Sequence, residues 1–403
     1  MSDNDSISVA MDDSDSDEEP VAESAIGSAF VTDTDWTLET LLSQLRRKNI
    51  QLNPKFQRRD AWDDTRKSRF IESLILGLPI PQIVLAEDKQ KKGSFIVLDG
   101  KQRLLSLWLF AQGSTFGVYG ITTPIMSLKG LDVRTDLVGA TLKSLEEDPD
   151  AAGDFNSLIN QTIRTVVVRN WPNGDFLNLV FLRLNTGSVS LSPQELRQAL
   201  HPGPFTDYID DFASDSDQVR RALRNSRADF RMRDVEIVLR YFAFKTRLHT
   251  YRGSLKHFLD ETADQLNIAW ENGGEEDLKG LAAKLDNSIA ATFKIFETHS
   301  FFRWNPDRKR FERRFNRAIF DVMTYYFDDA SVVDASLATK DEVVSAFVKL
   351  CEDDPVFSSS IQATTKSLEA THTRLSAWGR ALSEAIDIPL DIPTLGPDRT
   401  IRP

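Results

Sequence analysis

One cysteine, Cys351, is all the thiol chemistry available to this chain of 403 residues. A lone thiol excludes an intramolecular disulfide framework and any zinc cluster of the CxxC type. No apolar run reaches the roughly eighteen residues of a membrane-spanning helix. Histidine is scarce as well. His201, His249, His257, His299 and His372 form no paired metal-ligand pattern, and HExxH, Walker A and GxSxG motifs are absent. The first 45 residues hold neither lysine nor arginine. The N-terminus has no basic stretch leading into an apolar one, so no secretory signal is expected. The expected home is a reducing, cytoplasmic compartment.

What is present fits a globular protein of two or three domains, with 41% hydrophobic and 27% charged residues. The net charge of −12 is unevenly spread. Residues 1–45 contain twelve Asp and Glu; the other 49 equal the Lys and Arg count, so the body is formally neutral. "MDDSDSDEEP" is too polar and too like-charged to pack, and residues 1–33 are expected to be a disordered acidic tail. Two roles suit such a tail: solubilising the chain, or imitating nucleic acid to screen a basic groove.

Leucines 38, 41, 42 and 45 mark an amphipathic helix. The stretch over 51–62 is expected to be extended, because Asn53 precedes Pro54. "DDTRKSRFIESLILGLP" predicts a helix capped by Asp63 or Asp64 and stopped by Gly77 and Pro79. "PQIVLAED" and "SFIVLD" predict a hairpin around "KQKKG", and "QRLLSLWLFAQ" a helix. Residues 113–160 read as irregular, with an acidic loop, "LEEDPDAAGD". "QTIRTVVVRN" predicts a strand and "GDFLNLVFLRLN" a helix. In "LSPQELRQAL", Ser192, Pro193 and Glu195 form a capping box with proline at the first helical position. That segment is placed as the start of a helical domain, 191–385, containing five periodic stretches that include "RFERRFNRAIFDVMTYYF". Residues 386–403 read as an extended Pro-rich tail. The order is mixed α and β over 34–190, then all α, which predicts an α+β fold followed by a helical domain.

The chemistry concentrates at "FIVLDGKQRLLSLWLF". A strand ending in Asp99-Gly100 runs directly into a helix, whose terminal N–H groups and partial positive charge suit an anion, phosphate above all. Lys101 and Arg103 add charge there, Gln102 offers a donor and an acceptor, and Asp99 could cap the helix, hold a metal ion or orient water. The same residues also describe a charged, solvated helix start. In "FQRRDAW", Gln57, Arg58 and Arg59 lie beside an aromatic residue, and arginine suits bidentate phosphate contact; the plainer reading is a surface loop anchored by Trp62. In "FLRLNTGSVSLSPQEL", Arg183 and Asn185 precede a glycine turn; the plainer reading is a helix C-terminus and an ordinary loop.

Taken in order, "NPKFQRRDAW", "IESLILGLPIPQIVLAED", "FIVLDGKQRLLSL" and "FLRLNTGSVSLSPQELRQAL" resemble the ParB/sulfiredoxin-like domain at the N-terminus of GmrSD-type modification-dependent restriction enzymes. The resemblance covers roughly residues 36–200. It implies a small α+β nucleotide-binding fold whose D-G-Q-Q-R motif binds and hydrolyses a nucleoside triphosphate. Asp99, Gly100, Gln102 and Arg103 match that motif, and Gln57 and Arg58 match an upstream Q-R. Lys101 stands where the family has glutamine, and Leu105-Ser106 replaces a pair of threonines. Sulfiredoxin chemistry does not carry over, because its motif cysteine has no counterpart here. Larger family members carry an HNH nuclease domain, whose residues are not found in this chain.

On that resemblance, a nucleoside triphosphate of unspecified base, with Mg²⁺, is expected at the elbow. Arg58, Gly100, Lys101, Arg103, Arg183 and Asn185 would hold phosphates, Gln102 or Gln57 would position water, and Asp99 would cap the elbow or hold the metal. DNA or a partner such as a nuclease subunit is expected on the helical half, where residues 220–247 carry nine Lys/Arg against three acids and 303–317 seven against two. Arg310, Arg313 and Arg317 are expected to share one helix face there. A solvated, internally paired face is the plainer reading. The competing function is a non-catalytic DNA- or protein-binding subunit. No membrane partner is expected.

Overall fold

The computed structural model describes residues 29–50, 52, 61–117, 125–184, 192–362 and 366–402. The acidic N-terminal segment, Gln57, Arg58 and Asn185 lie outside the described residues. The described chain forms two compact units that divide between Leu200 and His201. As expected, a small α+β unit precedes a helical one.

The first unit is built on a four-stranded mixed sheet in the order β1 (Phe30–Thr37), β4 (Thr162–Arg169), β2 (Ile83–Glu87), β3 (Phe95–Asp99). β2 and β3 form the expected antiparallel hairpin, and β2 runs parallel to β4. Both faces of β2 are covered, so it reads as an unbroken apolar run rather than an alternating one. Ile83 and Leu85 join the core formed with α1 (Leu38–Arg46), α2 (Asp64–Ile75) and α3 (Lys101–Ala111). Val84 and Ala86 pack on the opposite face with Leu177 and Phe181 of α6 (Gly174–Leu184) and Leu196 of α7 (Pro193–Leu200). Leu38, Leu41, Leu42 and Leu45 are all buried on α1. Asp63 caps α2, its Oδ1 accepting from the Arg66 N–H at 2.7 Å.

Four boundaries differ from the sequence reading. Strand β1 begins at Phe30, inside the expected tail, and pairs along its whole length with β4. Its Asp33 and Asp35 sit on an edge strand, where charge is tolerated, and the acidic composition concealed the alternation that places Thr32, Thr34 and Trp36 on the inner face. The stretch 113–160 contains α4 (Leu142–Glu147) and α5 (Ala152–Asn160). A Thr141–Ser144 capping box starts α4, and Asp154 anchors α5 on Arg134 through a two-point ion pair at 2.7 Å. Helix α7 belongs to the first unit, not the second, because Leu196 completes the core behind the sheet. At the C-terminus, β7 (Thr394–Leu395) and β8 (Ile401–Arg402) pair, and Ile401 is buried in the second core.

The second unit packs around α10 (Arg233–Arg247), buried along most of its length. Around it lie α8 (Pro204–Asp215), α11 (Leu255–Ala269), α12 (Glu275–Phe296), α13 (Arg317–Tyr326), α15 (Lys340–Asp353) and α17 (Leu368–Ile386). The basic stretch 220–247 is largely spent internally: Arg233 pairs with Asp229, Lys245 with Asp328, and fully buried Arg240 with Asp321. One departure matters for function. Residues 302–315 form a hairpin of β5 (Phe302–Asn305) and β6 (Arg310–Phe315), where a helix was expected. The alternation of Phe311 with charged neighbours and the Asn-Pro-Asp turn favour the hairpin. No helix among the described residues is long and apolar enough to cross a membrane.

Candidate functional site

The elbow is a tight corner. Gly100 occupies the N-cap of α3 with φ +97° and offers the first-turn N–H groups no side-chain cap. A Cβ at that position would meet Ile83 Cγ1 at 3.1 Å and Arg103 Nε at 3.3 Å. Glycine is therefore required twice, for a left-handed backbone and for the guanidinium lying across it. Asp99 does not cap the helix, as the sequence allowed. Its Oδ2 instead accepts from Arg103 Nη2 at 2.6 Å, and the same nitrogen also reaches the Gln82 carbonyl at 3.2 Å. Arg103 is only 7% exposed. Its Nε and the Oε1 of Gln102 are buried without a partner among the described residues. Unpaired buried polar atoms beside an uncapped helix N-terminus are costly.

Lys101 differs from expectation. It is buried and ion-paired to Glu195, each side chain 6% exposed. Glu195 is the capping-box residue foreseen in the sequence: its Oε2 accepts from the Ser192 N–H at 2.7 Å, and Ser192 Oγ accepts from the Glu195 N–H at 3.1 Å. Its other oxygen takes Lys101. The lysine that replaces the family glutamine thus ties α3 to α7 across the sheet edge instead of standing open to a phosphate. The sequence reading missed Glu195 as a partner. Its signal was there: a capping-box carboxylate has a second oxygen to satisfy.

The other expected residues are dispersed. Trp62 packs edge-on against Phe70, as the plainer reading had it. Arg183 is exposed on the last turn of α6, where a cation is favourable. In the second unit, Arg310 and Arg313 are exposed on β6 rather than on a helix. Arg317, in the first turn of α13, is 5% exposed, with Nε 3.1 Å from Glu236 Oε1. It is a core residue and is withdrawn from the expected surface.

The family model for the GmrSD restriction endonuclease N-terminal domain matches residues 38–202. Its end, two residues past α7, agrees with the observed division between the units. No curated protein and no solved structure matches the chain. Residues 38–202 are therefore a GmrSD-type N-terminal domain, a domain type of restriction endonucleases.

Proposed function

We propose that the first unit binds a nucleoside triphosphate at the elbow and hydrolyses it, in DNA-directed defence or genome maintenance, while the second unit contacts DNA or a partner such as a nuclease subunit. The observation that supports this most is the orphaned Nε of Arg103 beside the uncapped N-terminus of α3. An anion there would receive a charge-assisted hydrogen bond and the helix N–H groups together. Arg103 would hold phosphate, and Gln102, with an unsatisfied side-chain oxygen, would orient water. Gly100 lets the Arg103 guanidinium lie across the backbone at the helix start.

A resident Mg²⁺ does not fit these residues. Asp99 is committed to Arg103 and Glu195 to Lys101, and the described residues offer no cluster of three or more metal-ligating side chains. No step here runs through a metal. The same pairing favours a second reading, nucleotide binding without turnover, as a non-catalytic subunit would do.

Phosphate release by the intact chain, its Arg103→Ala variant and its Gln102→Ala variant separates the two. Hydrolysis predicts release well above background that Arg103→Ala loses and Gln102→Ala slows. Background release with every common triphosphate, with and without DNA, removes the enzymatic reading.

A further inference from the structure

The hairpin of β5 and β6 borders a groove of about 1190 Å³. Its lining carries seven cations against a single carboxylate, Glu312. That carboxylate is already spent. Burial opposes its ionisation, but hydrogen bonds from Arg303 and Asn305 outweigh this and lower its pKa. Lys309, at the turn, pairs with Glu352 at 2.9 Å. Arg308, Arg310, Arg313 and Arg314 are exposed, and none has an ion-pair partner among the described residues. Glu312 still feels the charge of Arg308, but four exposed guanidinium groups on one short hairpin repel one another and raise the local potential.

We infer that this groove is a binding site for the phosphate backbone of duplex nucleic acid. Charge complementarity selects a polyanion, and the fork of arginine suits phosphate oxygens. A two-stranded ribbon is also a shape that the DNA major groove accepts. The aromatic residues argue for a duplex over a single strand. Single strands are gripped by stacking bases on open rings. Here Phe311 is stacked on His299, with centroids 4.6 Å apart and planes 11° apart. Trp304 meets Phe311 edge-on and donates its N–H to Glu352 at 2.9 Å. Arg224 lies over Phe302 at 4.7 Å. The rings brace the hairpin, leaving the arginines to do the binding. Contact is then with phosphates and does not depend on sequence.

This inference rests on the proposed DNA contact of the second unit and is independent of the nucleotide. The test is fluorescence anisotropy of a labelled mixed-sequence duplex with the full chain, without nucleotide, in about 50–300 mM NaCl. The expected dependence of log K on log salt has a slope of about −3 to −4. Replacing Arg310, Arg313 and Arg314 with alanine should weaken binding about tenfold or more and flatten the slope by about 3. Replacing them with lysine should restore most of both, and unchanged thermal midpoints would confirm that all three proteins are folded. Duplex affinity unmoved by the alanine variant overturns the proposal, as does tighter binding of a single strand of the same length. A chain that turns over nucleotide but ignores duplex rejects the groove alone; one that binds duplex but no nucleotide rejects the elbow alone.

Discussion

The elbow and the hairpin carry the same kinds of side chain put to opposite uses. At the elbow, Lys101 and Arg103 are buried and each is matched to a carboxylate, Glu195 and Asp99. On the hairpin, Arg308, Arg310, Arg313 and Arg314 lie in solvent, and none has an ion-pair partner among the described residues. A buried cation without its partner would cost several kcal/mol, so the sequence has to supply one. An exposed cation costs little when unpaired and stays available to a ligand. The difference teaches that a cluster of Lys and Arg becomes a binding surface only where the fold leaves it unmatched. On the proposed reading, specificity would lie at the elbow, where polar groups are few and oriented, and bulk affinity at the hairpin.

Breaking the elbow pair should have the largest effect. Lys101→Met leaves Glu195 buried and unpaired, and an order-of-magnitude cost of ~3–5 kcal/mol is expected by urea denaturation of the first unit. Lys101→Met combined with Glu195→Gln should recover most of that loss; no recovery would show that the pair is not the source. Next comes Gly100→Ala. The strained backbone and the 3.1 Å approach to Ile83 predict a loss of ~2 kcal/mol by the same measurement. Arg310→Ala on the hairpin should stay within ~0.5 kcal/mol of wild type. A hairpin variant as damaging as the elbow variants would erase the contrast between the two sites.

A smaller effect concerns pH. Burial works against ionisation of Glu72, yet hydrogen bonds from the backbone N–H groups of Arg134, Val133 and Asp132 outweigh it and lower its pKa below 4.5. Its contribution to stability is therefore complete above pH 4.5 and is lost as pH falls through the lowered value. Urea midpoints of Glu72→Gln should fall less steeply than wild type over that acid range; parallel curves would show that the carboxylate is not responsible. Smallest of all, Cys351 has a thiol pKa pushed up to about 12 by burial. It should resist a thiol reagent at neutral pH until the second unit is unfolded.

Much of the first unit was legible in the sequence because its signals are local. Leucine spacing marked α1, Asp63 marked the start of α2, and Ser192 with Glu195 marked α7. The elbow was legible as Asp-Gly between two apolar runs. What stayed hidden depends on distant partners. Nothing near Lys101 in the chain indicates that Glu195, 94 positions away, will neutralise it. Strand β1 was obscured because its acids raised the charge of the tail while its pairing partner, β4, lies far downstream. The arginine row was misplaced because Phe311, Phe315, Ala318 and Ile319 fit a helical period. The chain breaks that period at Asn316, which caps α13 by accepting from the Ile319 N–H at 2.9 Å. A period of 3.6 drawn across a hairpin and a following helix gives the same apolar positions but the wrong arginines.

The most direct measurement is equilibrium binding of a labelled nucleoside triphosphate to the intact chain and to Arg103→Ala, with Gln102→Ala as the milder companion. The account predicts saturable binding by the wild type, loss of that binding in Arg103→Ala with the protein still folded, and retained binding with slowed hydrolysis in Gln102→Ala. Wild-type binding that survives removal of Arg103, or no binding of any triphosphate, would contradict it.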